Sequence, residues 1–339
     1  MLHSSAKVLL FTCLFCLLGQ NIFALTTAEE DDVLRNFAWQ KFIELPKDKR
    51  QKIGVTLSAG ALRGASHIGV IEVLSEAGMP IDYMSGTSMG CIVGALYNAG
   101  LPLEHLQYLV SNINTNYISR DFNVGGILKY LFAGKLFSSE EFQEFIDKEV
   151  GSKNYEDLPI PFACVSADIK TGEKVVFDSG PLSLGVRASM NLPGVFEPVE
   201  YRQRLLVDGG IVDYMPVDLV KKMGADFIVA VYALPSFAGT KPTNIMGYVL
   251  RIGDLRGAVL TEDSEHQADF VILSRVGEIG SSDRSKTNLA IEIGALSAYQ
   301  TLPKLKEKLI INGINYVFKS DTFVIFNYFV FTFTKRGIF

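Results

Sequence analysis

Apolar residues between positions 51 and 100 follow two alternating patterns. A continuous apolar run at Ile53–Leu57 is typical of a buried strand, and apolar residues then recur at helical spacing over roughly Ala65–Ala77. A second apolar run at Ile81–Ser85 leads into a sharp turn and a small-residue helix over Ser88–Ala99. Strand–helix–strand units with short connections indicate a mostly parallel sheet that is covered by helices.

The pattern continues in the second half of the chain. Short apolar or β-branched runs predict strands in "PFACVSADI", "KVVFDSG", "RLLVDGG", "ADFIVAVYAL" and "ADFVILS". Helical spacing predicts one helix in "LSLGVRASMNLPGVF", ended near Pro193, and another in "NLAIEIGALSAYQTLPKLKEKL", interrupted or restarted at Pro303. The sequence therefore predicts an α/β fold.

The two ends of the chain differ from this body. Residues 1–24 hold one lysine, a short apolar run and a small-residue exit, which is typical of a signal peptide cleaved after Ala24; an uncleaved membrane anchor is the alternative. We therefore expect export and a periplasmic, secreted or envelope-associated protein. Residues 25–50 predict a helical linker. The aromatic-rich tail at 311–339 suits an edge strand, a membrane-contacting segment or an extension without a role.

The composition of the chain excludes some classes of function. The 339 residues are 48% hydrophobic, and the net charge of −5 without a basic helix face argues against a nucleic-acid partner. No Cys/His cluster has metal-ligand spacing, so no metal site is expected. Cys91 and Cys164 lie among small apolar residues, which favours buried thiols over a disulfide.

The segment Gly86-Thr87-Ser88-Met89-Gly90 lies between a predicted strand and a predicted helix. A Gly-x-Ser-x-Gly turn in this position is the layout of a nucleophile elbow, in which the glycines make room for a strained turn. The helix that follows directs its N-terminal N–H groups at the serine. A tight packing corner is the alternative interpretation.

A serine nucleophile needs a base. Two histidines follow in the chain, but His105 lies in an ordinary helix and His266 lies in an acidic segment. Asp208 is the stronger candidate because a buried strand meets Gly209 and Gly210 there, at the carboxyl edge of the predicted sheet. A common Asp-Gly turn is the alternative.

The third candidate segment is the loop "SAGALRGASHIG", which joins a predicted strand to a predicted helix. Its backbone N–H groups at Gly60, Ala61, Leu62, Arg63 and Gly64 could form an oxyanion hole. The loop matches neither a phosphate-binding loop nor the dinucleotide fingerprint. A simple helix-start turn remains the alternative.

Together these segments resemble the patatin-like phospholipase family. The loop "SAGALRG", the elbow from Gly86 to Gly90, the segment "RASMNLPGVFEPV" and the motif Asp208-Gly209-Gly210 occur in the order of that family. The resemblance covers about residues 51–310. It implies a three-layer α/β/α fold with a mostly parallel central sheet, in which 51–310 is the catalytic domain.

The resemblance further implies a Ser–Asp dyad that cleaves acyl esters of phospholipids or other lipids at a membrane surface, without a metal or other cofactor. Ser88 would be the nucleophile, Asp208 the base and the loop the oxyanion hole, with Arg63 either holding the loop or meeting a lipid phosphate. The loop departs from the family at Ala59 and Ala61, where glycine is common, and alanine resists positive φ. A non-catalytic lipid-binding protein with the same fold therefore stays open, as does the oligomeric state.

Overall fold

The protein is described from a computed structural model that covers residues 27–112, 125–127, 129, 134–236, 242, 245–277, 279–280 and 284–317. The expected signal peptide at 1–24 and residues 318–339 of the tail lie outside these ranges. The helices in chain order are α1 (Thr27–Ile43), α2 (Ser66–Glu76), α3 (Met89–Asn98), α4 (Leu103–Ser111), α5 (Glu140–Val150), α6 (Leu182–Met190), α7 (Val217–Met223), α8 (Ile245–Gln267) and α9 (Thr287–Val317).

The strands form one mixed sheet. They are β1 (Ile53–Leu57), β2 (Ile81–Thr87), β3 (Phe162–Asp168), β4 (Lys174–Phe177), β5 (Val199–Tyr201), β6 (Arg204–Asp208), β7 (Phe227–Ala233) and β8 (Phe270–Ser274). Their order across the sheet is β5-β6-β3-β2-β1-β7-β8, and β4 pairs with β3. The central pairs β3–β2, β2–β1, β1–β7 and β7–β8 are parallel, whereas β4, β5 and β6 pair antiparallel.

Helices cover both faces of the sheet. Residues 54 and 57 of β1 point to opposite faces because successive side chains of a strand alternate. A side chain at Gly54 would collide with Val220 of α7, whereas Leu57 lies against Gly94 of α3. The helices α3 and α7 therefore pack on opposite faces, and the prediction of a mostly parallel sheet between helical layers is confirmed.

The last helix differs from the prediction at Pro303. The sequence predicts an interruption or restart there, but α9 continues through the proline from Thr287 to Val317. Proline removes one backbone hydrogen bond of the helix, which bends or breaks a weakly held helix. Here the buried side chains of Ala298 and Leu305 hold the helix on either side of that position.

The chain divides into two compact units. One is Gln51–Leu305, and it contains the whole sheet. The other combines the chain up to Arg50 with the chain from Lys306 onward. Within this second unit Trp39 and Phe42 of α1 are buried and stacked, with ring centroids 5.4 Å apart. The Lys306 ammonium lies 5.3 Å from the Trp39 ring centroid, a cation–π contact.

No helix within the described ranges has both the length and the apolarity that a bilayer crossing requires. The two cysteines of these ranges, Cys91 and Cys164, are buried and free, which confirms the expectation of thiols.

Candidate active site

Ser88 occupies the turn between β2 and α3 in a strained backbone conformation. Its φ is 55° and its ψ is −119°, a region that non-glycine residues rarely adopt. Such strain costs about 1–3 kcal/mol and persists only where the surroundings impose it. One of these constraints is Ser189 of α6, whose hydroxyl accepts a 2.9 Å hydrogen bond from the Ser88 N–H.

Close backbone approach explains both glycines of the elbow. A side chain at Gly86 would come within 2.6 Å of the Gly90 carbonyl. A side chain at Gly90 would collide with the carbonyl oxygens of Leu57 and Ser58. Each position therefore excludes a Cβ atom, and the turn that presents Ser88 depends on both of them.

The side chains of Ser88 and Asp208 are brought together. The Ser88 hydroxyl donates to Asp208 Oδ2 over 2.6 Å, and the Gly210 N–H donates to Oδ1 over 2.8 Å. Both carboxylate oxygens are therefore held, and the backbone N–H of Asp208 donates to the Asn191 carbonyl over 2.9 Å. Gly209 packs directly on β3, where a side chain would collide with the Val165 carbonyl.

Burial changes the acidity of this carboxyl group. Asp208 is 7% exposed. Burial raises its pKa to about 6, against the hydrogen bonds from Ser88 and Gly210 that lower the pKa. A base with a pKa near the working pH is suited to proton transfer at neutrality.

The strand that carries Asp208 runs opposite to the parallel strands of the sheet. The sequence argument placed this aspartate at the carboxyl edge of the predicted sheet, and β6, the strand that carries it, runs antiparallel to β3. Thr87 of β2 pairs with Val165, and Ser166, the next residue of β3, pairs with Asp208. Asp208 therefore lies beside Ser88 at the same edge of the sheet, although the strands that carry the two residues run in opposite directions.

The loop after β1 lies against the turns that follow Ser88 and Asp208. A side chain at Gly64 would collide with Met89, the residue after Ser88, and one at Gly210 would come within 3.4 Å of Ala59. Ala59 is held by donating its N–H to the Tyr214 carbonyl over 2.8 Å. Among the described residues, none accepts a hydrogen bond from the N–H of Gly60, Ala61 or Leu62.

Ala61 adopts the conformation that alanine resists. Its φ is 49°, in the left-handed region that costs a residue with a Cβ about 1–2 kcal/mol. Ala59 has no such φ and packs in a buried cluster with Tyr214. The departure from the family pattern therefore strains the loop at Ala61 alone.

Arg63 is buried and holds the loop to α8. Its guanidinium forms a hydrogen-bonded ion pair with Asp254 of α8, and the arginine is only 4% exposed. Burial raises the pKa of Asp254, and the charge of Arg63 opposes that rise. Of the two roles expected for Arg63, this geometry favours holding the loop over meeting a lipid phosphate.

None of the three described histidines is bonded to Ser88. His105 pairs with Glu149 over 2.9 Å, and His266 is exposed in the last turn of α8. His67 is buried, its Nε2 lies 2.8 Å from the Ser58 carbonyl, and burial lowers its pKa to about 4. Within the described ranges no three His, Cys, Asp or Glu side chains are grouped so as to hold a metal ion.

Sequence reasoning missed two residues that support the pair. Ser189 accepts a hydrogen bond from the Ser88 N–H, and the carbonyl of the buried Asn191 accepts one from the Asp208 N–H. The Asn191 side chain bonds to the Glu197 carbonyl over 2.9 Å and to the Ser139 hydroxyl over 2.7 Å. Both residues lie in "RASMNLPGVF", so polar residues between apolar neighbours in that segment were the available signal.

The sequence profile of the family described as Patatin-like phospholipase matches residues 55–221. The matched range contains the loop, the elbow and the Asp-Gly-Gly turn. The domain that these residues form belongs to the patatin-like phospholipase family.

Relatives of this patatin-like chain are found in bacteria and fungi. An uncharacterized NTE family protein of Mycobacterium tuberculosis is 35% identical over 192 residues, which are 56% of this chain and 51% of that protein. The lysophospholipase NTE1 of Debaryomyces hansenii is 34% identical over 181 residues, 53% of this chain and 12% of that protein. The chain thus spans about half the length of the first relative and far less of the second.

Among solved structures, VipD from Legionella pneumophila is similar to part of this chain. It matches with a TM-score of 0.49 at 17% sequence identity. The match covers 75% of this patatin-like chain and 67% of that chain.

Proposed function

We propose that the protein is a serine lipid acyl hydrolase that cleaves carboxylic esters of phospholipids or other acyl lipids. The observation that carries the proposal is the 2.6 Å hydrogen bond from the Ser88 hydroxyl to Asp208, made by a serine on a strained turn. Family membership supports a lipid as the substrate. A hydroxyl group that is held against a carboxylate with a raised pKa is equipped for nucleophilic attack.

The proposed reaction has two halves. In the first, Asp208 takes the Ser88 proton while Oγ forms a bond to the ester carbonyl carbon. The tetrahedral intermediate then expels the alcohol, which takes the proton from Asp208 as it leaves. In the second, Asp208 takes a proton from water, the water oxygen attacks the acyl-serine, and Ser88 recovers its proton as the fatty acid departs.

The negative charge of each tetrahedral intermediate falls on the former carbonyl oxygen. The N–H groups of Gly60, Ala61 and Leu62 are the proposed donors to that oxygen, because their loop packs on Met89, the residue after Ser88, and none bonds to an acceptor among the described residues. The start of α3 adds a favourable helix dipole. Preorganised donors of this kind supply a large share of the rate enhancement in acyl transfer.

The test compares variants on two substrates. We expect the wild type to hydrolyse a short-chain nitrophenyl ester and a phospholipid, and Ser88→Ala and Asp208→Asn to lose several powers of ten in kcat. His266→Ala serves as the matched control, since an exposed histidine away from Ser88 should leave both activities unchanged. Equal activity of the wild type and Ser88→Ala would refute the proposal.

A second candidate function is lipid binding without catalysis. The observation that favours it is the strained φ of Ala61 in the loop that should hold the oxyanion. A fluorophosphonate probe separates the two, because it forms a covalent bond only with an activated serine. Labelling of the wild type but not of Ser88→Ala supports the hydrolase, and vesicle binding without labelling supports the binding protein.

We also propose that residues 1–24 direct export of the protein. The proposal rests on the lysine, the short apolar run and the small-residue exit of this segment. Cell fractionation of the full chain beside a chain starting at Leu25 tests it. Only the full chain should reach the exported fraction, shortened by its first 24 residues.

A further inference from the structure

One face of α8 carries a continuous stripe of exposed apolar side chains. The stripe consists of Tyr248, Ile252, Leu255 and Val259, which are 57%, 64%, 52% and 64% exposed. Their spacing of four, three and four residues places all of them on one side of the helix. Exposed apolar stripes of this regularity mark a surface that contacts something apolar.

The opposite side of α8 packs on the candidate active site. Asp254 forms the ion pair with Arg63 of the loop, and a side chain at Gly257 would collide with the Tyr214 ring. The Arg256 guanidinium donates to the Ile211 carbonyl over 3.3 Å, in the turn that follows Asp208. The helix therefore lies directly outside two of the three segments that form the site.

Two arginines border the stripe. At 100° per residue, Arg251 and Arg256 fall on either side of the line from Tyr248 to Val259. Arg251 donates to the Ser236 carbonyl over 3.3 Å, so both guanidinium groups are anchored beside the stripe. An apolar face bordered by cations fits the boundary between lipid chains and phosphate headgroups.

We propose that α8 is an interfacial helix whose stripe from Tyr248 to Val259 docks on the surface of a phospholipid bilayer. This inference rests on the proposed function, since a lipid substrate is held in such a surface. The stripe is about 17 Å long at 1.5 Å per residue, which suits a helix lying in the plane of the interface. The arginines argue against an apolar protein partner, because they match anionic phosphates on both sides.

The test measures binding separately from hydrolysis. In a Ser88→Ala background, cosedimentation is measured with vesicles of phosphatidylcholine and of phosphatidylcholine mixed with phosphatidylglycerol. The double variant Ile252→Asp/Val259→Asp should bind roughly tenfold or more weakly to both. Tyr108→Asp is the matched control, because Tyr108 is 62% exposed on α4, which packs with α2 and α3 on the other face of the sheet. It should bind normally.

With Ser88 present, the double variant should retain hydrolysis of the soluble nitrophenyl ester and lose hydrolysis of vesicle phospholipid. Unchanged vesicle binding would overturn the inference, as would a wild-type dimer in size-exclusion chromatography that the variant abolishes. Thermal unfolding checks the fold, and Ile252→Ser/Val259→Ser replaces the double variant if aspartate unfolds the chain. A wild type that binds through the stripe but hydrolyses neither substrate refutes the proposed function and leaves the docking surface standing.

Discussion

Ser88 and Asp208 stand 120 positions apart in the chain, and their side chains share a hydrogen bond of 2.6 Å. The serine hydroxyl is the donor, and the carboxylate must be ionised in order to take its proton during the attack. Burial raises the pKa of Asp208 to about 6, so a large fraction of this group is protonated at mildly acidic pH.

Hydrolysis should therefore depend on a single ionisation near pH 6. We expect kcat/KM for the nitrophenyl ester to be flat above about pH 7 and to fall about tenfold per pH unit below about pH 5. The measurement is a pH–rate profile of the wild type at constant ionic strength. A midpoint near pH 4, the ordinary aspartate range, would contradict the burial argument.

The same shift predicts that the ionised aspartate costs stability. A folded-state pKa above the unfolded value means that the native state binds the proton more tightly, so stability falls as pH rises from about 4 to about 6 and then levels off. The shift corresponds to about 3 kcal/mol. Asp208→Asn should unfold at higher urea concentration than the wild type at pH 8, and the difference should shrink toward pH 4. A less stable asparagine variant at pH 8 would contradict this.

Ser189 should position Ser88 rather than take part in the reaction. Ser189→Ala removes the acceptor of the half-buried Ser88 N–H, which costs about 0.5–1.5 kcal/mol and loosens the elbow. We expect kcat to fall and KM to stay constant, with an unchanged pH–rate midpoint. Ser183→Ala is the matched control on α6, because its buried hydroxyl has no partner among the described residues. Equal effects of the two changes would argue against the positioning role.

Local sequence patterns predicted much of this fold. The bounds of β1 agree with the apolar run at Ile53–Leu57, because each residue of a central strand is buried. The glycines of the elbow were predictable for a similar reason, since a sharp turn between strand and helix leaves no room for a Cβ atom.

Features that depend on contacts between distant parts of the chain could not be predicted from the sequence. The antiparallel direction of β6 follows from its pairing with β3, which no local pattern encodes. Arg63 and Asp254 are 191 positions apart, so their ion pair could not be inferred from spacing. The helix through Pro303 is a case in which burial of its neighbours outweighs a local helix breaker.

The backbone of Leu57 and Ser58 lies so close to Gly90 that any side chain at this position should destabilise the fold. An alanine side chain there would collide with two carbonyl oxygens that belong to the backbone of β1 and the loop, so the strand or the helix must move. Gly90→Ala should lower the free energy of unfolding by about 3 kcal/mol. Gly253→Ala on α8, where nothing lies within 4 Å of the added atom, should raise it by about 1 kcal/mol. Denaturant unfolding of both variants checks the contrast, and similar losses would contradict it.

The strain at Ala61 should be removable. Glycine adopts a φ of 49° without the clash between Cβ and backbone, so Ala61→Gly is expected to raise the free energy of unfolding by about 1 kcal/mol. The same change relaxes the N–H groups that are proposed to hold the oxyanion, so kcat should rise or stay level. Ala59→Gly is the matched control two residues away, where φ is not positive and a buried methyl group is lost; it should lower stability by about 1 kcal/mol. Urea unfolding and ester hydrolysis are measured on both variants, and a loss of stability in Ala61→Gly would show that the left-handed conformation at this position carries no strain.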